Sequence, residues 1–204
     1  SGDPSPVTAD GVFRSIKVAV RHATGRESIE GLRVAVQGLG HVGYGLCEHL
    51  HAAGAHLIVT DINKVVLDRA KTELGAIIVE PDVIHAVDAD VFAPCALGGA
   101  VSEASLPEIK AKIIVGAANN QLASVEMGEA CRQRGILYAP DYIVNAGGII
   151  NVAAEVSGSY DPNWVKSKLD ALEITLKNIF MLAEERSEPT NLVADQMARE
   201  RLKI

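Results

Sequence analysis

The turn that links the first apolar run of this chain to the helical pattern after it constrains the fold more than any other feature. Residues 38–43 follow the pattern Gly-x-Gly-x-x-Gly, directly after the apolar run Arg33–Gln37 and at the start of a helical pattern over 42–53. This order of strand, glycine turn and helix is typical of folds that bind a pyrophosphate, because free backbone N–H groups and the positive end of the helix dipole meet there. The sequence therefore predicts a strand–turn–helix unit within a parallel sheet.

Each glycine of this turn has a separate predicted role. Gly38 permits the tight turn, Gly40 lets the backbone approach the pyrophosphate, and Gly43 lets the helix pack close to the strand. The alternative is a glycine-rich turn without a ligand, and the flanking strand and helix favour the binding turn. The predicted cofactor contacts in this turn are Gly38, Leu39, Gly40, His41, Val42 and Gly43.

Short apolar runs alternate with helical patterns over residues 31–144, and they predict an α/β fold. Such alternation is typical of a Rossmann-type doubly wound parallel sheet, with the expected strand order 3-2-1-4-5-6. The predicted strands are Arg33–Gln37, His56–Thr60, 76–79, 90–93, 112–115 and 136–139. The clearest helices between them are 42–53, Lys64–Leu74 and 124–134.

Helical segments at about 1–30 and 145–204 are expected to flank this core within a single domain. The first contains a helix over 7–23, for which Thr8 is the predicted N-cap. The C-terminal helices have no strand partners, and we expect them either to pack back across the sheet or to form a hinge to another part of the protein. No linker is long enough to separate two domains.

Composition narrows the class of protein further. Hydrophobic residues make up 48% of the chain and aromatic residues only 4%, so the core is built from small aliphatic side chains, which suit a parallel sheet. A net charge of −7 argues against a nucleic-acid partner or an anionic membrane surface. No apolar run reaches the roughly 18 residues of a membrane span, and the first residues lack the features of a signal peptide.

The cysteines and histidines predict neither disulfides nor a metal site. Cys47, Cys95 and Cys131 are odd in number and widely spaced, and no pair of histidines has metal-ligand spacing. These features favour a reducing, cytoplasmic setting. Cys95 is interpreted as a small buried residue rather than a nucleophile.

Asp61, at the end of the second predicted strand, indicates the choice of cofactor. It lies 18 positions after Gly43, close to the spacing of about 20 expected for an acid that binds the adenosine ribose. A carboxylate accepts hydrogen bonds from ribose hydroxyls and repels a 2′-phosphate, so NAD is favoured over NADP, with Lys64 the one nearby cation. The neighbouring Ile62 belongs to the same predicted contact. Alternatively, Asp61 or Asn63 caps the following helix, and both interpretations can hold together.

Two further loops follow the fourth and fifth strands, at 93–99 and 116–121. Ligands of open α/β sheets bind outside the carboxyl ends of strands, so these loops are expected beside the second half of a dinucleotide. Asn119 and Asn120 suit a carboxamide or a ribose, although an Asn-Asn pair is also common in turns. Asn145, after the sixth strand, is by default a helix N-cap, and a helix N-terminus with glycines can also face the ligand.

Taken together, these motifs resemble those of the leucine/phenylalanine/valine/glutamate dehydrogenase family, closest to the leucine and phenylalanine branch. The similarity covers nearly the whole chain. The resemblance implies oxidative deamination of an L-amino acid to its 2-oxo acid with NAD, in which hydride passes from the α-carbon to the nicotinamide and water releases ammonia. The five segments that carry it are 2–9, 38–43, 93–96, 117–120 and 145–148.

The same resemblance implies roles for individual residues. Thr8 is expected to contact the nicotinamide carboxamide, and Asn119 to bridge the nicotinamide end and the substrate, with Asn145 near the same place. His41 departs from the family, since leucine dehydrogenases usually carry Asn there, and it occupies a variable position of the motif. The remaining residues expected to line the cofactor site are Asp61, Cys95, Ala96, Ala117 and Ala118.

One part of the family pattern is absent. The family's catalytic Lys and Asp belong to an N-terminal domain, and no glycine-rich segment with such a Lys occurs here. We therefore expect no catalytic residue in this chain, a missing N-terminal catalytic domain, and no turnover by the chain alone. The expected substrate is an amino acid of leucine, branched-chain or phenylalanine type, and the full-length enzyme is expected to be a homo-oligomer.

Two alternatives remain at this point. The chain is a stand-alone module that senses NAD and regulates a partner, or it is an oxidoreductase outside this family. The residues implied at the nicotinamide end argue against a sensor, because a sensor needs only the adenosine half. An oxidoreductase outside this family would need a catalytic Lys in the C-terminal helices. The candidates there, Lys166, Lys168 and Lys177, are interpreted as one solvated face of a helix.

Overall fold

The computed structural model describes residues 2–156 and 160–202, and it contains a six-stranded parallel sheet. The strand order is β3-β2-β1-β4-β5-β6, as predicted. The order reverses between β1 and β4, and this reversal opens a crevice at the carboxyl ends of the two strands. The strands are β1 (Arg33–Gln37), β2 (His56–Thr60), β3 (Ile77–Ile78), β4 (Val91–Pro94), β5 (Ile113–Ile114) and β6 (Leu137–Tyr138).

Helices cover both faces of the sheet. Alternation along β1 sends Val34 and Val36 to one core and Ala35 to the other, as expected for a strand that is buried on both sides. The first core includes side chains of α1, α2 and α7, and the second includes α4. The helices are α1 (Ser5–Thr24), α2 (His41–Ala52), α3 (Lys64–Leu74), α4 (Glu126–Gln133), α5 (Asp141–Val144), α6 (Gly147–Val156), α7 (Pro162–Arg186) and α8 (Thr190–Leu202).

The start of α1 differs from the prediction. Thr8 is not the N-cap, because the helix begins at Ser5 and Pro4 precedes it as the cap residue. Pro6 in the first turn explains the earlier start, since its fixed backbone angle suits a helix and its missing N–H needs no partner there. The Thr8 hydroxyl instead donates to the carbonyl oxygen of Pro4 at 3.1 Å.

Three strands are shorter than their apolar patterns. The apolar patterns cover 76–79, 112–115 and 136–139, whereas β3, β5 and β6 are only two residues long each. Val115 and Ala139 are fully buried although they lie outside the strands. Each still donates its N–H to the neighbouring strand, Val115 to the carbonyl oxygen of Phe92 and Ala139 to that of Ile114, at 3.0 Å. The apolar pattern therefore reports burial, which continues past the paired part of each strand. None of the helices in the described part of the chain is long and apolar enough to cross a membrane.

Candidate functional site

The glycine turn between β1 and α2 uses two of its glycines to pack tightly. Gly38 has a φ of 98°, in the left-handed region that favours glycine, and its N–H donates to the carbonyl oxygen of Thr60 at 2.9 Å. A Cβ at Gly38 would lie 2.7 Å from the Cβ of Ala96, and a Cβ at Gly43 would overlap the carbonyl oxygen of Gly38. Neither position tolerates a side chain, so the turn lies directly against the start of α2 and the loop after β4.

Gly40 has a different environment. A Cβ there would meet nothing within 4 Å, and the residue is exposed. Gly40 is the N-cap residue of α2, and its carbonyl oxygen accepts from the N–H of Tyr44 at 2.8 Å. The N–H groups of the first helical turn, from His41 to Gly43, have no partner within the helix. The turn therefore presents backbone donors and the positive end of a 12-residue helix to open space.

Asp61 connects the end of β2 to the glycine turn. Its Oδ2 accepts from the N–H of Leu39 at 2.6 Å, and its Oδ1 accepts from the N–H of Asn63 at 2.8 Å. Asn63 is the N-cap of α3, because its side chain accepts from the N–H of Val65 at 3.0 Å. Of the two capping candidates in this segment, the structure therefore makes Asn63 the N-cap of α3. A carboxylate has about four acceptor sites, so Asp61 can still accept from a ligand, and Ile62 beside it is 95% exposed.

The loop after β4 packs beneath the glycine turn. The N–H of Cys95 donates to the carbonyl oxygen of Gln37 at 2.7 Å, and a Cβ at Gly43 would lie 3.3 Å from the Cβ of Cys95. Burial raises the pKa of the Cys95 thiol to about 11. A thiol with so high a pKa is a poor nucleophile, which agrees with the interpretation of Cys95 as a packing residue.

The loops after β5 and α5 bring two predicted site residues together. The side-chain Nδ2 of Asn145 donates to Oδ1 of Asn119 at 2.6 Å. Asn145 is the C-cap residue of α5, two positions before α6 begins. On the same loop as Asn119, the buried Ala118 is held by its N–H, which donates to the carbonyl oxygen of Pro94 at 3.0 Å, while Ala117 is half-buried.

Thr8 approaches this pair from α1. A Cβ at Gly147 would lie 2.6 Å from the carbonyl oxygen of Val7 and 3.0 Å from the Cα of Thr8, and a Cβ at Gly148 would lie 3.0 Å from the Thr8 hydroxyl. The two glycines at the start of α6 therefore let α6 pack closely on α1. This packing places Thr8 next to the segment that carries Asn145.

Two residues, Gln121 and Asp141, hold the loop that carries Asn119, and the sequence did not suggest this role for either. Gln121 is fully buried, and its side-chain amide donates to the carbonyl oxygens of Gly116 and Ala118 on the loop that carries Asn119. Asp141 accepts from the N–H of Gln121 at 2.9 Å through its Oδ2. Neither belongs to a recognisable spacing pattern. The only sequence signal is a glutamine directly after Asn119 and Asn120, in a segment that otherwise looks like an ordinary turn.

The residues around the turn fit a dinucleotide. At the ends of β1 and β2, Gln37 Oε1 and Thr60 Oγ1 are buried and have no hydrogen-bond partner within residues 2–156 and 160–202. The two residues are paired in register directly before the glycine turn and Asp61. Buried polar atoms need partners, so these atoms, the open space at Gly40 and the helix N–H groups together suit a polar ligand. A groove of about 670 Å³ runs alongside, lined in part by Leu39, Gly40, His41 and Asn63.

Metal-ligating side chains do not gather in the parts of the chain that the structure describes. No group of three or more His, Cys, Asp or Glu residues there has a geometry that could hold a metal ion. His41, at the start of α2, has an 86% exposed side chain, and its Nδ1 lies 3.7 Å from Oδ2 of Asp3. The chemistry available at the site is therefore that of backbone N–H groups, amides and Asp61.

The reversed strand order, the glycine turn before α2 and the acid at the end of β2 define a Rossmann-type domain. More specifically, the chain belongs to the glutamate/leucine/phenylalanine/valine dehydrogenase family, whose model matches residues 2–79 and 61–199. The family resemblance found in the sequence is thereby confirmed.

Individual relatives agree with this assignment. The chain is 49% identical over 202 residues to a leucine dehydrogenase of Geobacillus stearothermophilus, and this match covers 99% of the chain and 55% of that protein. A valine dehydrogenase of Streptomyces albus is 40% identical over 99% of the chain and 56% of its own length. The crystal structure of L-tryptophan dehydrogenase from Nostoc punctiforme superposes with a TM-score of 0.95 at 43% identity, covering 100% of this chain and 62% of that chain. The chain thus spans little more than half the length of the curated relatives it matches.

Proposed function

We propose that this chain is the NAD-binding part of an amino-acid dehydrogenase that oxidatively deaminates an L-amino acid to its 2-oxo acid and ammonia. The observation that carries the proposal is the hydrogen bond between Asn119 and Asn145 at the carboxyl edge of the sheet, with Thr8 packed against Gly147 and Gly148 just after Asn145. A module that only senses a nucleotide would need the glycine turn and Asp61, but it would not need polar side chains beyond them.

The residues of the site divide between the two halves of NAD. The N–H groups at the start of α2 would hold the pyrophosphate, and Asp61 would accept from the adenosine ribose. Asn119 and Thr8 would hold the nicotinamide end, and the path between the halves would be lined by Cys95, Ala96, Ala117 and Ala118. When bound, NAD supplies a ring that accepts a hydride. This chain's own contribution is to bind and orient that ring next to Asn119.

The substrate side favours an amino acid with an apolar side chain. Beyond Asn145, helix α6 exposes three apolar side chains at helical spacing: Ile149 is 74% exposed, Val152 49% and Val156 81%. Such a strip is unusual on a solvated helix and suits contact with an apolar group. The names of the relatives, leucine, valine and tryptophan dehydrogenases, agree with this class of substrate.

The proposal assigns the catalytic base to a part of the enzyme outside this chain. Deamination needs a base of tuned pKa near the substrate amine and its water. The amides of Asn119 and Asn145 do not titrate in water. Asp141, the acid nearest to them in sequence, accepts the N–H of Gln121, and we assign it to holding this loop rather than to proton transfer. In this proposal the chain binds NAD and orients its nicotinamide ring, and we expect no turnover of amino acids without the rest of the enzyme.

The experiment that tests the proposal is calorimetric titration of this chain with NAD and with NADP. We expect NAD to bind more tightly, since Asp61 accepts from ribose hydroxyls and repels a 2′-phosphate. Asp61→Ala should weaken NAD binding by about 1.5–3 kcal/mol, the typical contribution of a hydrogen bond to a charged group. It should also narrow the difference between the cofactors. The matched control is Asp68→Ala on the exposed face of α3, which should bind as the wild type does.

Two results would contradict the proposal. Equal or tighter binding of NADP would show that Asp61 does not select against a 2′-phosphate. NADH formation by the NAD-loaded chain with leucine, valine, phenylalanine or glutamate would show that the chain carries its own base.

A further inference from the structure

We propose that Gln121 is a positioning residue for the nicotinamide end of the site, where its buried amide fixes the loop that carries Asn119. The inference rests on the proposed function and extends it to a residue that contacts neither cofactor nor substrate in that proposal.

The first support is the bonding of the Gln121 side chain. It is fully buried, and its Nε2 donates to the carbonyl oxygens of Gly116 at 2.8 Å and Ala118 at 2.9 Å. These two carbonyls lie on the segment that leads from β5 to Asn119. Both N–H bonds of one amide are thus used to set the curvature of that segment.

The second support is the bonding of the Gln121 backbone. Its N–H donates to Oδ2 of Asp141 at 2.9 Å, and its carbonyl oxygen accepts from the N–H of Val101 at 2.9 Å. Asp141 begins α5, and its own carbonyl oxygen accepts from the N–H of Asn145 at 2.9 Å. One chain of hydrogen bonds therefore leads from the Asn119 loop through Gln121 and Asp141 to Asn145.

The third support is the cost of this arrangement. Burying an amide is unfavourable unless all its polar atoms are bonded, and Gln121 Oε1 has no partner within the described residues. An apolar side chain would fill the same space without this cost. A buried glutamine at this place is explained by the loop it holds.

The test compares two ligands that differ at the nicotinamide end. NAD carries the nicotinamide ring and ADP-ribose lacks it, while both carry the adenosine and the pyrophosphate. Gln121→Met keeps the approximate volume of the side chain and removes both N–H donors. We expect it to weaken NAD binding about threefold to tenfold, because a displaced Asn119 would lose about one neutral hydrogen bond to the nicotinamide end. Binding of ADP-ribose should stay within about twofold of the wild type, because the turn before α2 and Asp61 are untouched.

A double-mutant cycle separates positioning from general loss of structure. In an Asn119→Ala background, Gln121→Met should not change the ratio of NAD to ADP-ribose affinity any further, since the group it positions is gone. The control is Gln133→Met on the exposed face of α4, which should change neither affinity. If Gln121→Met does not fold, Gln121→Asn keeps an uncharged amide and moves its donors away from the carbonyl oxygens of Gly116 and Ala118 by one methylene, and the same two-ligand comparison applies.

The outcomes distinguish this inference from the proposed function. An equal loss of NAD and ADP-ribose affinity in the Gln121 variants, or full additivity with Asn119→Ala, would overturn the positioning role. A wild-type chain that binds neither ligand would overturn the proposed function itself and, with it, this inference.

Discussion

At the scale of single residues, the glycines of the turn differ in whether the fold or a ligand requires them, and Gly40 is not required by the fold. Its φ of −65° is accessible to any residue, and a side chain there would meet no other atom of the chain. Gly43 is the opposite case, because a Cβ would overlap the carbonyl oxygen of Gly38. The same motif therefore contains two glycines that the fold requires, Gly38 and Gly43, and a third, Gly40, that only a ligand would require.

We accordingly predict that Gly40→Val abolishes NAD binding and leaves the fold intact. The valine side chain would fill the space in front of the helix N–H groups. Valine caps a helix less well than glycine, and we expect this to lower the free energy of unfolding by about 1 kcal/mol, which is too little to unfold the domain. Calorimetry measures the binding, and thermal unfolding measures the fold. Ala52→Val, on the exposed far end of α2, is the control for adding a branched side chain to that helix. Normal NAD binding by Gly40→Val would mean that the pyrophosphate lies elsewhere.

At the scale of elements, the start of α3 shows how one short segment serves two purposes. Asp61 supports the glycine turn and Asn63 caps the helix, and both bonds involve backbone N–H groups within a few residues of the end of β2. Different side chains of the same segment therefore hold two neighbouring elements, and mutations can separate the two contributions.

We predict that Asn63→Ala lowers the free energy of unfolding by about 1 kcal/mol, the usual effect of losing an N-cap. Urea denaturation provides the measurement. Asn178→Ala, at an exposed position inside α7, should be neutral or stabilising, because alanine is the better helix former there. If both substitutions had the same effect, the hydrogen bond from the N–H of Val65 would not contribute to stability.

At the scale of the whole molecule, Arg14 joins the first helix to the long C-terminal one. Its Nε lies 2.9 Å from Asp10 on α1, and its Nη1 lies 2.7 Å from Asp170 and 3.0 Å from Glu173 on α7. Only 19% of the Arg14 side chain is exposed, so these ion pairs are less screened than typical surface pairs. The cluster holds together the two helices that flank the Rossmann core in sequence.

We predict that Arg14→Met lowers the free energy of unfolding at neutral pH by about 1–2 kcal/mol, the range of hydrogen bonds to charged groups after partial screening. Lys166 and Arg14 hold the pKa of Asp170 below its ordinary value of 3.8. A lowered pKa stabilises the fold above the ordinary value, and this contribution is lost as the pH falls through the lowered one. The difference between wild type and variant should therefore shrink below about pH 4.

Urea denaturation at pH 7 and at pH 3 checks this pH dependence. Arg21→Met removes an arginine from the same helix whose side chain is 68% exposed and pairs with Glu27, and it should have little effect at either pH. A difference between Arg14→Met and the wild type that stays constant with pH would exclude the carboxylates as the source of the stabilisation.

The sequence by itself determined the features that depend on neighbouring residues. Apolar runs that alternate with helical patterns predicted the six strands, and the glycine turn between the first run and the next helix favoured the Rossmann-type sheet with its strand order. These features follow from backbone geometry and local burial. The same local view misplaced the start of α1, because it weighed Thr8 as a cap and overlooked Pro6.

Only the tertiary structure decided how distant segments meet. Asn119 and Asn145 are 26 positions apart and share a hydrogen bond. Thr8 lies beside the start of α6, just after Asn145, because two glycines there let α1 and α6 approach closely. Gln121 has no periodicity or motif, since its role is defined by carbonyl groups that become its neighbours only when the loop closes. Hydrogen bonds across loops depend on where packed helices bring the backbone, and no pattern within one segment contains that information.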